Sequence, residues 1–104
     1  MIRPKRIFLS GPYTHGDVAV NVRTAIEAAS KLTDAGYIVY LPHLSHFWHL
    51  LCPRPYEDWL KLDLAWLELC DAIVRLDGYS PGADGEIEEA KRRGILVMRM
   101  EDLI

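Results

Sequence analysis

Glu86 is the residue in this 104-residue sequence whose setting suits chemistry most clearly. It follows a loop in which Ser80 is a suitable N-cap, Pro81 suits the first helical position and Gly82 leaves room for a ligand beside the backbone. A helix that begins here directs its positive end and its free N–H groups towards nearby anions. Glu86 is therefore a candidate active-site carboxylate; the alternative is a capped helix in which Glu86 serves only local electrostatics.

A second candidate, Asp63, lies on the apolar side of a helix predicted over residues 56–69. At about 100° per residue, the charged residues of this helix share one face, and Asp63 lies away from them in a stripe with Trp59, Leu60, Trp66, Leu67 and Cys70. A carboxylate in such a stripe is costly unless it is paired or hydrogen-bonded. Asp63 is either a buried carboxylate satisfied by a backbone N–H or a hydroxyl, or an active-site group with a shifted pKa.

Three histidines recur every third residue in a loop rich in aromatic side chains: His43, His46 and His49. Three histidines can bind zinc, but this spacing turns successive side chains apart unless the segment is a 3₁₀ turn, and no carboxylate lies among them. We therefore predict no metal. A loop that faces the substrate, in which Trp48 or Phe47 stacks on a base and one histidine hydrogen-bonds it, fits this pattern better than a metal site. Packing at a subunit interface is the alternative.

The elements that must position these residues follow from the apolar patterns. Short apolar runs predict strands, and amphipathic segments predict helices, in the order β-α-β-α-β-α-β. The strands fall near 6–9, 37–41, 71–76 and 95–98; the helices fall at 18–32, 56–69 and 82–93. We expect a three-layer α/β/α fold, flavodoxin- or Rossmann-like, with a short parallel sheet of about four strands. Residues 42–55 are predicted as a loop with at most one helical turn, and residues 101–104 as a short tail.

Length and composition set the remaining expectations. The chain predicts one domain over residues 1–104, and its net charge of −3 argues against a nucleic-acid partner. No apolar run approaches a membrane span, and the N-terminal run Ile7-Phe8-Leu9 is too short for a signal peptide. Cys52 and Cys70 are predicted to be reduced thiols, and the location to be cytoplasmic. The Trp-rich second helix predicts a homo-oligomer.

Taken together, the motifs resemble the nucleoside 2-deoxyribosyltransferase superfamily, which includes the 2'-deoxynucleoside 5'-monophosphate N-glycosidases. The matching pieces cover most of the chain: Ile7-Phe8-Leu9-Ser10-Gly11-Pro12-Tyr13, Trp59, Asp63-Leu64-Ala65-Trp66-Leu67, Cys70-Asp71-Ala72-Ile73-Val74, Ser80-Pro81-Gly82, Glu86 and Gly94. The Ser-x-Gly-x-x-x-Glu spacing, combined with the upstream Asp-x-x-Trp-Leu, is the most specific part of the resemblance.

The resemblance implies an enzyme without a cofactor that cleaves or transfers the N-glycosidic bond of a (deoxy)nucleoside or nucleotide. It implies that Glu86 attacks the anomeric carbon and that Asp63 supports the nucleophile and the sugar. The expected substrate-binding residues are Ser10, Gly11, Tyr13, His43, His46, Trp48, Ser80 and Gly82, with Ser80 on a 5'-phosphate. The segment Gly11-Pro12-Tyr13-Thr14 departs from the Gly-Ser-Ile-Arg of the nucleotide-cleaving branch, which leaves the need for a phosphate open. The alternative function is a non-catalytic nucleotide-binding or sensing domain on the same fold.

Overall fold

A parallel sheet forms the centre of the protein, whose computed structural model describes residues 5–104. In this part of the chain the strands are β1 (Arg6–Ser10), β2 (Ile38–Tyr40), β3 (Ala72–Arg75) and β4 (Leu96–Met98). The helices are α1 (Val18–Asp34), α2 (Ser45–Leu51), α3 (Tyr56–Leu67), α4 (Pro81–Arg92) and α5 (Met100–Leu103), and a 3₁₀ turn over Pro42–Leu44 precedes α2.

The four strands pair in the order β2-β1-β3-β4, and every pairing is parallel. Successive residues of the central strand β1 point to opposite faces of the sheet. Ile7 and Leu9 pack with buried residues of α1, whereas Phe8 packs with Leu67 of α3 and Ala90 of α4. The predicted parallel sheet with helices on both faces is therefore confirmed.

The switch in strand order lies between β1 and β3. The chain adds β2 on one side of β1 and then adds β3 on the other side. The connections that follow β1 and β3 therefore lead to α1 and α4 on opposite faces of the sheet. Ser10, the last residue of β1, pairs with Arg75, the last residue of β3. This point in the sheet is where ligands bind in folds of this type.

Local capping signals set the helix boundaries as the sequence predicts. Asp17 Oδ1 accepts a hydrogen bond of 3.2 Å from the Val20 N–H at the start of α1. Ser80 Oγ accepts one of 3.0 Å from the Ala83 N–H, which makes Pro81 the first residue of α4. Each cap satisfies one N–H group that has no partner within its helix.

Residues 42–55 and 101–104 contain more helix than the sequence predicts, so both predictions were wrong in this respect. Residues 42–55 hold a 3₁₀ turn and the seven-residue helix α2, and the predicted tail forms α5. None of the residues of α2 is buried, and Leu51 is 83% exposed. Because its apolar residues face several directions, α2 lacks the one-sided pattern from which helices are predicted.

Two further expectations can be compared with the described residues. Cys52 and Cys70 form no disulfide within residues 5–104. Within residues 5–104, no helix combines the length and the apolar character needed to cross a membrane.

Candidate active site

A cavity of about 600 Å³ opens at the carboxyl ends of the strands, where the loops after β1, β2 and β3 meet helix α3. Such a volume falls within the range of small-molecule sites. Seven of the ten residues predicted to be catalytic or substrate-binding line it: Gly11, Tyr13, His43, Asp63, Ser80, Gly82 and Glu86. The other three, Ser10, His46 and Trp48, are not part of its wall.

Glu86 lies in the second turn of α4 and is held from below by the sheet. Ser10 Oγ donates a hydrogen bond of 2.6 Å to Glu86 Oε1, and Ser10 itself is only 1% exposed. Burial raises the pKa of Glu86 from 4.5 to about 7; the Ser10 bond opposes this rise, and the charge of Asp63 adds to it. A carboxylate in these surroundings changes its protonation state close to neutral pH.

Asp63 reaches the cavity from α3 and is held by strand β2. The Tyr40 hydroxyl donates a hydrogen bond of 3.0 Å to Asp63 Oδ1. Burial raises the pKa of Asp63 from 3.8 to about 6, and the Tyr40 bond counteracts part of that rise. The Tyr40 ring stacks on Trp66 with 5.6 Å between centroids, which orients its hydroxyl. The Tyr40 hydroxyl thus satisfies Asp63, as the first interpretation requires, and Asp63 also lines the cavity.

Glu86 and Asp63 share one site although they belong to different helices. Both line the same cavity, and they are close enough for the charge of Asp63 to raise the pKa of Glu86. Their hydrogen-bond partners differ, since Ser10 holds Glu86 and Tyr40 holds Asp63. Two carboxyl groups with different surroundings can take different parts in a reaction.

Tyr13, which follows β1, links the first loop to the 3₁₀ turn and to α2. Its hydroxyl shares a hydrogen bond of 2.6 Å with His46 Nδ1, and its ring meets the His43 ring edge-on. His43 is 5% exposed, and its Nε2 donates to the Pro12 carbonyl oxygen at 2.8 Å. Burial lowers the pKa of His43, which keeps this ring neutral. His46 therefore lies behind the wall of the cavity as a support for Tyr13.

The third histidine, His49, contacts α3. Trp59 Nε1 donates a hydrogen bond of 2.9 Å to His49 Nδ1, and both residues line the cavity. Trp48 meets Trp59 edge-on with 5.0 Å between centroids and is 51% exposed on the outer side. The three histidines have three separate partners, and within residues 5–104 no three His, Cys, Asp or Glu side chains are grouped to hold a metal ion.

The loops after β1 and β3 pack against each other too closely for a side chain at Gly11. A Cβ atom there would lie 2.9 Å from Leu76 Cβ. Arg75 holds the second loop in place: its Nη2 donates to the Gly78 carbonyl oxygen and to Asp84 Oδ1, at 2.9 Å each. This packing sets where Ser80 begins α4, and hence where Glu86 lies.

A family model described as "Domain of unknown function (DUF4406)" matches residues 5–99, which is nearly the whole chain. The chain belongs to the DUF4406 family. No curated protein sequence matches this DUF4406 chain significantly.

Among solved structures, the DUF4406 chain is similar to a 2-deoxyribosyltransferase from the psychrotolerant bacterium Bacillus psychrosaccharolyticus, which is described as a biocatalyst for the synthesis of nucleosides. The TM-score is 0.59 at 19% sequence identity, and the match covers 90% of this chain and 70% of that one. The resemblance stated from the sequence is thus confirmed at the level of the fold.

Three residues that hold the site in place by hydrogen bonds were not predicted from the sequence. Tyr40 donates to Asp63, Arg75 holds the loop after β3, and Trp59 donates to His49. Tyr40 and Arg75 occur in strand patterns that carry no sign of a site. The sequence indicates Trp59 as part of an apolar stripe and of the superfamily resemblance, and it does not distinguish its partner His49 from the other two histidines. The available signal was the indole N–H, which needs an acceptor wherever the ring is largely buried.

Proposed function

We propose that this protein cleaves or transfers the N-glycosidic bond of a (deoxy)nucleoside or nucleotide, with Glu86 as the nucleophile. The observation that carries the proposal is that Glu86 and Asp63, each with its own hydroxyl partner, line one cavity of about 600 Å³. The similarity of the fold to a 2-deoxyribosyltransferase supports the same reaction class.

The chemistry requires an ionised Glu86. Its Oε1 accepts from Ser10, while Oε2 takes no hydrogen bond from the described residues and is available for attack. In the proposed step a bond forms between Oε2 and the anomeric carbon, and the bond from that carbon to the base nitrogen breaks. The bonding electrons leave with the base, which then takes up a proton. Water or a second base next displaces Glu86 from the sugar.

Asp63 stabilises the sugar as positive charge develops on it. Burial raises the pKa of both carboxyl groups, and the charge of Asp63 raises that of Glu86 further, so Asp63 is the first of the two to lose its proton. An ionised Asp63 accepts a hydrogen bond from a sugar hydroxyl and favours the oxocarbenium-like transition state. The Tyr40 hydroxyl, whose own pKa is raised by burial and by Asp63, remains a donor throughout.

The start of α4 supplies the remaining wall of the sugar site. Ser80 and Gly82 both line the cavity, and the Gly82 N–H lies in the first turn, where a helix favours negative charge. This wall suits a 5'-hydroxyl or a 5'-phosphate. Both nucleosides and nucleotides therefore belong in the substrate panel.

The test is release of free base, followed by chromatography, from a panel of nucleosides and deoxynucleotides with and without an acceptor base. We expect release by the wild-type chain and by Glu88→Gln, whose side chain is exposed on the same helix, and none by Glu86→Gln. No release across the panel would contradict the proposal. Thermal stabilisation by nucleotides without any release would instead indicate the binding or sensing function.

A homo-oligomer is a further proposal. Several large apolar side chains of α2 and α3 are exposed, among them Phe47, Leu51 and Trp66. Burying such a surface against a second copy would remove it from water. Light scattering of the purified chain would give a molar mass above 11.9 kDa if the proposal holds, and equal to it otherwise.

A further inference from the structure

The neighbours of His49 determine which of its ring nitrogens carries the proton. An indole N–H can only donate, so His49 Nδ1, 2.9 Å from Trp59 Nε1, must accept. The backbone N–H of Arg54 approaches the same atom at 3.3 Å, also as a donor. A nitrogen that accepts carries no proton, so the proton of the neutral ring is on Nε2.

His49 Nε2–H is therefore a donor with no acceptor among residues 5–104, on a residue that lines the cavity. The other two histidines of this region differ from it. His43 Nε2 already donates to Pro12, and His46, whose Nδ1 shares a hydrogen bond with Tyr13, is not part of the cavity wall. His49 is thus the histidine of these three that both lines the cavity and has a ring N–H without an acceptor among residues 5–104.

The spacing along α3 relates this donor to the carboxylates. Trp59 and Asp63 lie on the same face of the helix, four residues and therefore about 6 Å apart along its axis. A base that extends along α3 from a sugar beside Asp63 and Glu86 reaches Trp59, which lines the same cavity. His49 then faces the edge of the base that is farthest from the glycosidic bond.

We propose that His49 selects nucleosides whose base carries a keto oxygen on that far edge. This rests on the proposed function, because the proposed function places the sugar. A keto oxygen accepts from Nε2–H, whereas the amino group of an adenine or a cytosine is a donor and would leave two donors facing each other without acceptors. The substrate class is thus the keto-base nucleosides, such as those of hypoxanthine or uracil.

The first test uses calorimetry to compare the binding of 2'-deoxyinosine and 2'-deoxyadenosine, which share a sugar and differ in the C6 substituent and in the proton on N1. The wild-type chain should bind 2'-deoxyinosine about tenfold more tightly or better. His49→Asn keeps an acceptor for Trp59 but loses the distal donor, and should abolish the preference. His49→Gln restores a distal N–H and should recover it in part. Equal affinities in the wild type, a preference unchanged in His49→Asn, or binding of neither nucleoside would overturn the inference.

The second test determines the tautomer of His49 in the absence of a ligand. Long-range proton–nitrogen NMR of the wild type should show an unprotonated Nδ1 and a protonated Nε2 for His49. Trp59→Phe keeps the ring but removes the indole donor, and should give a mixture of tautomers and a weaker preference for 2'-deoxyinosine. A protonated Nδ1 in the wild type would overturn the inference.

These outcomes separate this inference from the proposed function. Binding with a His49-dependent keto preference but without base release would contradict the glycosidase or transferase activity and support the inference. Base release that depends on Glu86, with a base preference that does not depend on His49, would support the activity and overturn the inference.

Discussion

Ser10 Oγ donates a hydrogen bond of 2.6 Å to Glu86 Oε1, which joins the last residue of the central strand to the second turn of α4. Ser10 is buried and cannot turn to water, so its hydroxyl has a fixed direction. One carboxyl oxygen of Glu86 is held by the sheet and the other is left for the cavity.

Glu86→Gln is expected to stabilise the fold at pH 8 while it abolishes turnover. The native pKa of about 7 lies above the ordinary 4.5, so the wild-type chain loses stability as the pH rises from about 4.5 to about 7. The neutral glutamine avoids this loss, and we expect a gain of about 1–3 kcal/mol at pH 8 that vanishes below pH of about 4.5. Urea unfolding at pH 4.5 and pH 8 measures this gain in the free energy of unfolding, and Glu88→Gln, at an exposed position, is the control. A glutamine variant less stable than the wild type at pH 8 would contradict the prediction.

Ser10→Ala should move the pH dependence of turnover to higher pH. The Ser10 hydrogen bond lowers the pKa of Glu86, so its loss raises that pKa above about 7. Turnover needs ionised Glu86, and in the wild type it should rise with pH through about 7 and then level off. The midpoint of the pH–rate profile should be higher in Ser10→Ala and unchanged in Thr33→Ala, whose hydroxyl bonds the Ala29 carbonyl on α1. An unchanged midpoint in Ser10→Ala would exclude this role.

Tyr40→Phe should weaken the site through Asp63 without disturbing the sheet. The ring and its stacking on Trp66 remain, but the donor to Asp63 Oδ1 is lost, so the pKa of Asp63 rises above about 6. We expect turnover to fall about tenfold, with little change in Tm. Carboxyl NMR titration follows the pKa directly.

The matched control for that variant is Tyr37→Phe. The Tyr37 hydroxyl bonds the Leu103 carbonyl at 3.4 Å, and the residue does not line the cavity. Equal losses of turnover in the two variants would show that any tyrosine near β2 matters only for stability.

Gly11→Ala should destabilise the fold, whereas Gly85→Ala should not. A Cβ at Gly11 would meet Leu76 Cβ at 2.9 Å, and overpacking of this kind costs about 1–3 kcal/mol. A Cβ at Gly85 would meet nothing within 4 Å, and alanine is the better helix former by about 0.5–1 kcal/mol. Thermal unfolding measures the stability of both variants against the wild type. A Gly11→Ala chain as stable as the wild type would show that the loops after β1 and β3 are not tightly packed.

Local signals explain which parts of the fold could be predicted. The apolar run at 7–9, the cap at Asp17 and the Ser80-Pro81 start of α4 depend only on neighbouring residues, and all three hold in the structure. Asp63 could be singled out for the same reason, because its misfit to the helix face is a property of α3 alone. The helix α2 could not be predicted, since it buries no residue and has no side-chain cap.

The partners of the candidate residues required three-dimensional information. Ser10 and Glu86 meet because α4 packs against the sheet that contains β1, and Tyr40 meets Asp63 because Tyr40 and α3 pack on the same face of that sheet. Neither pair has a signature in the spacing of the sequence. The proton position on His49 likewise depends on one indole N–H that comes from a different helix.

The most direct test of the proposed nucleophile is mass spectrometry of the acid-quenched protein during turnover of a nucleoside from the panel. The account predicts an added deoxyribosyl group that maps to Glu86 in the wild-type chain and in Glu88→Gln, and that is absent from Glu86→Gln. Release of base by Glu86→Gln at the wild-type rate, or an adduct on any other residue, would contradict it.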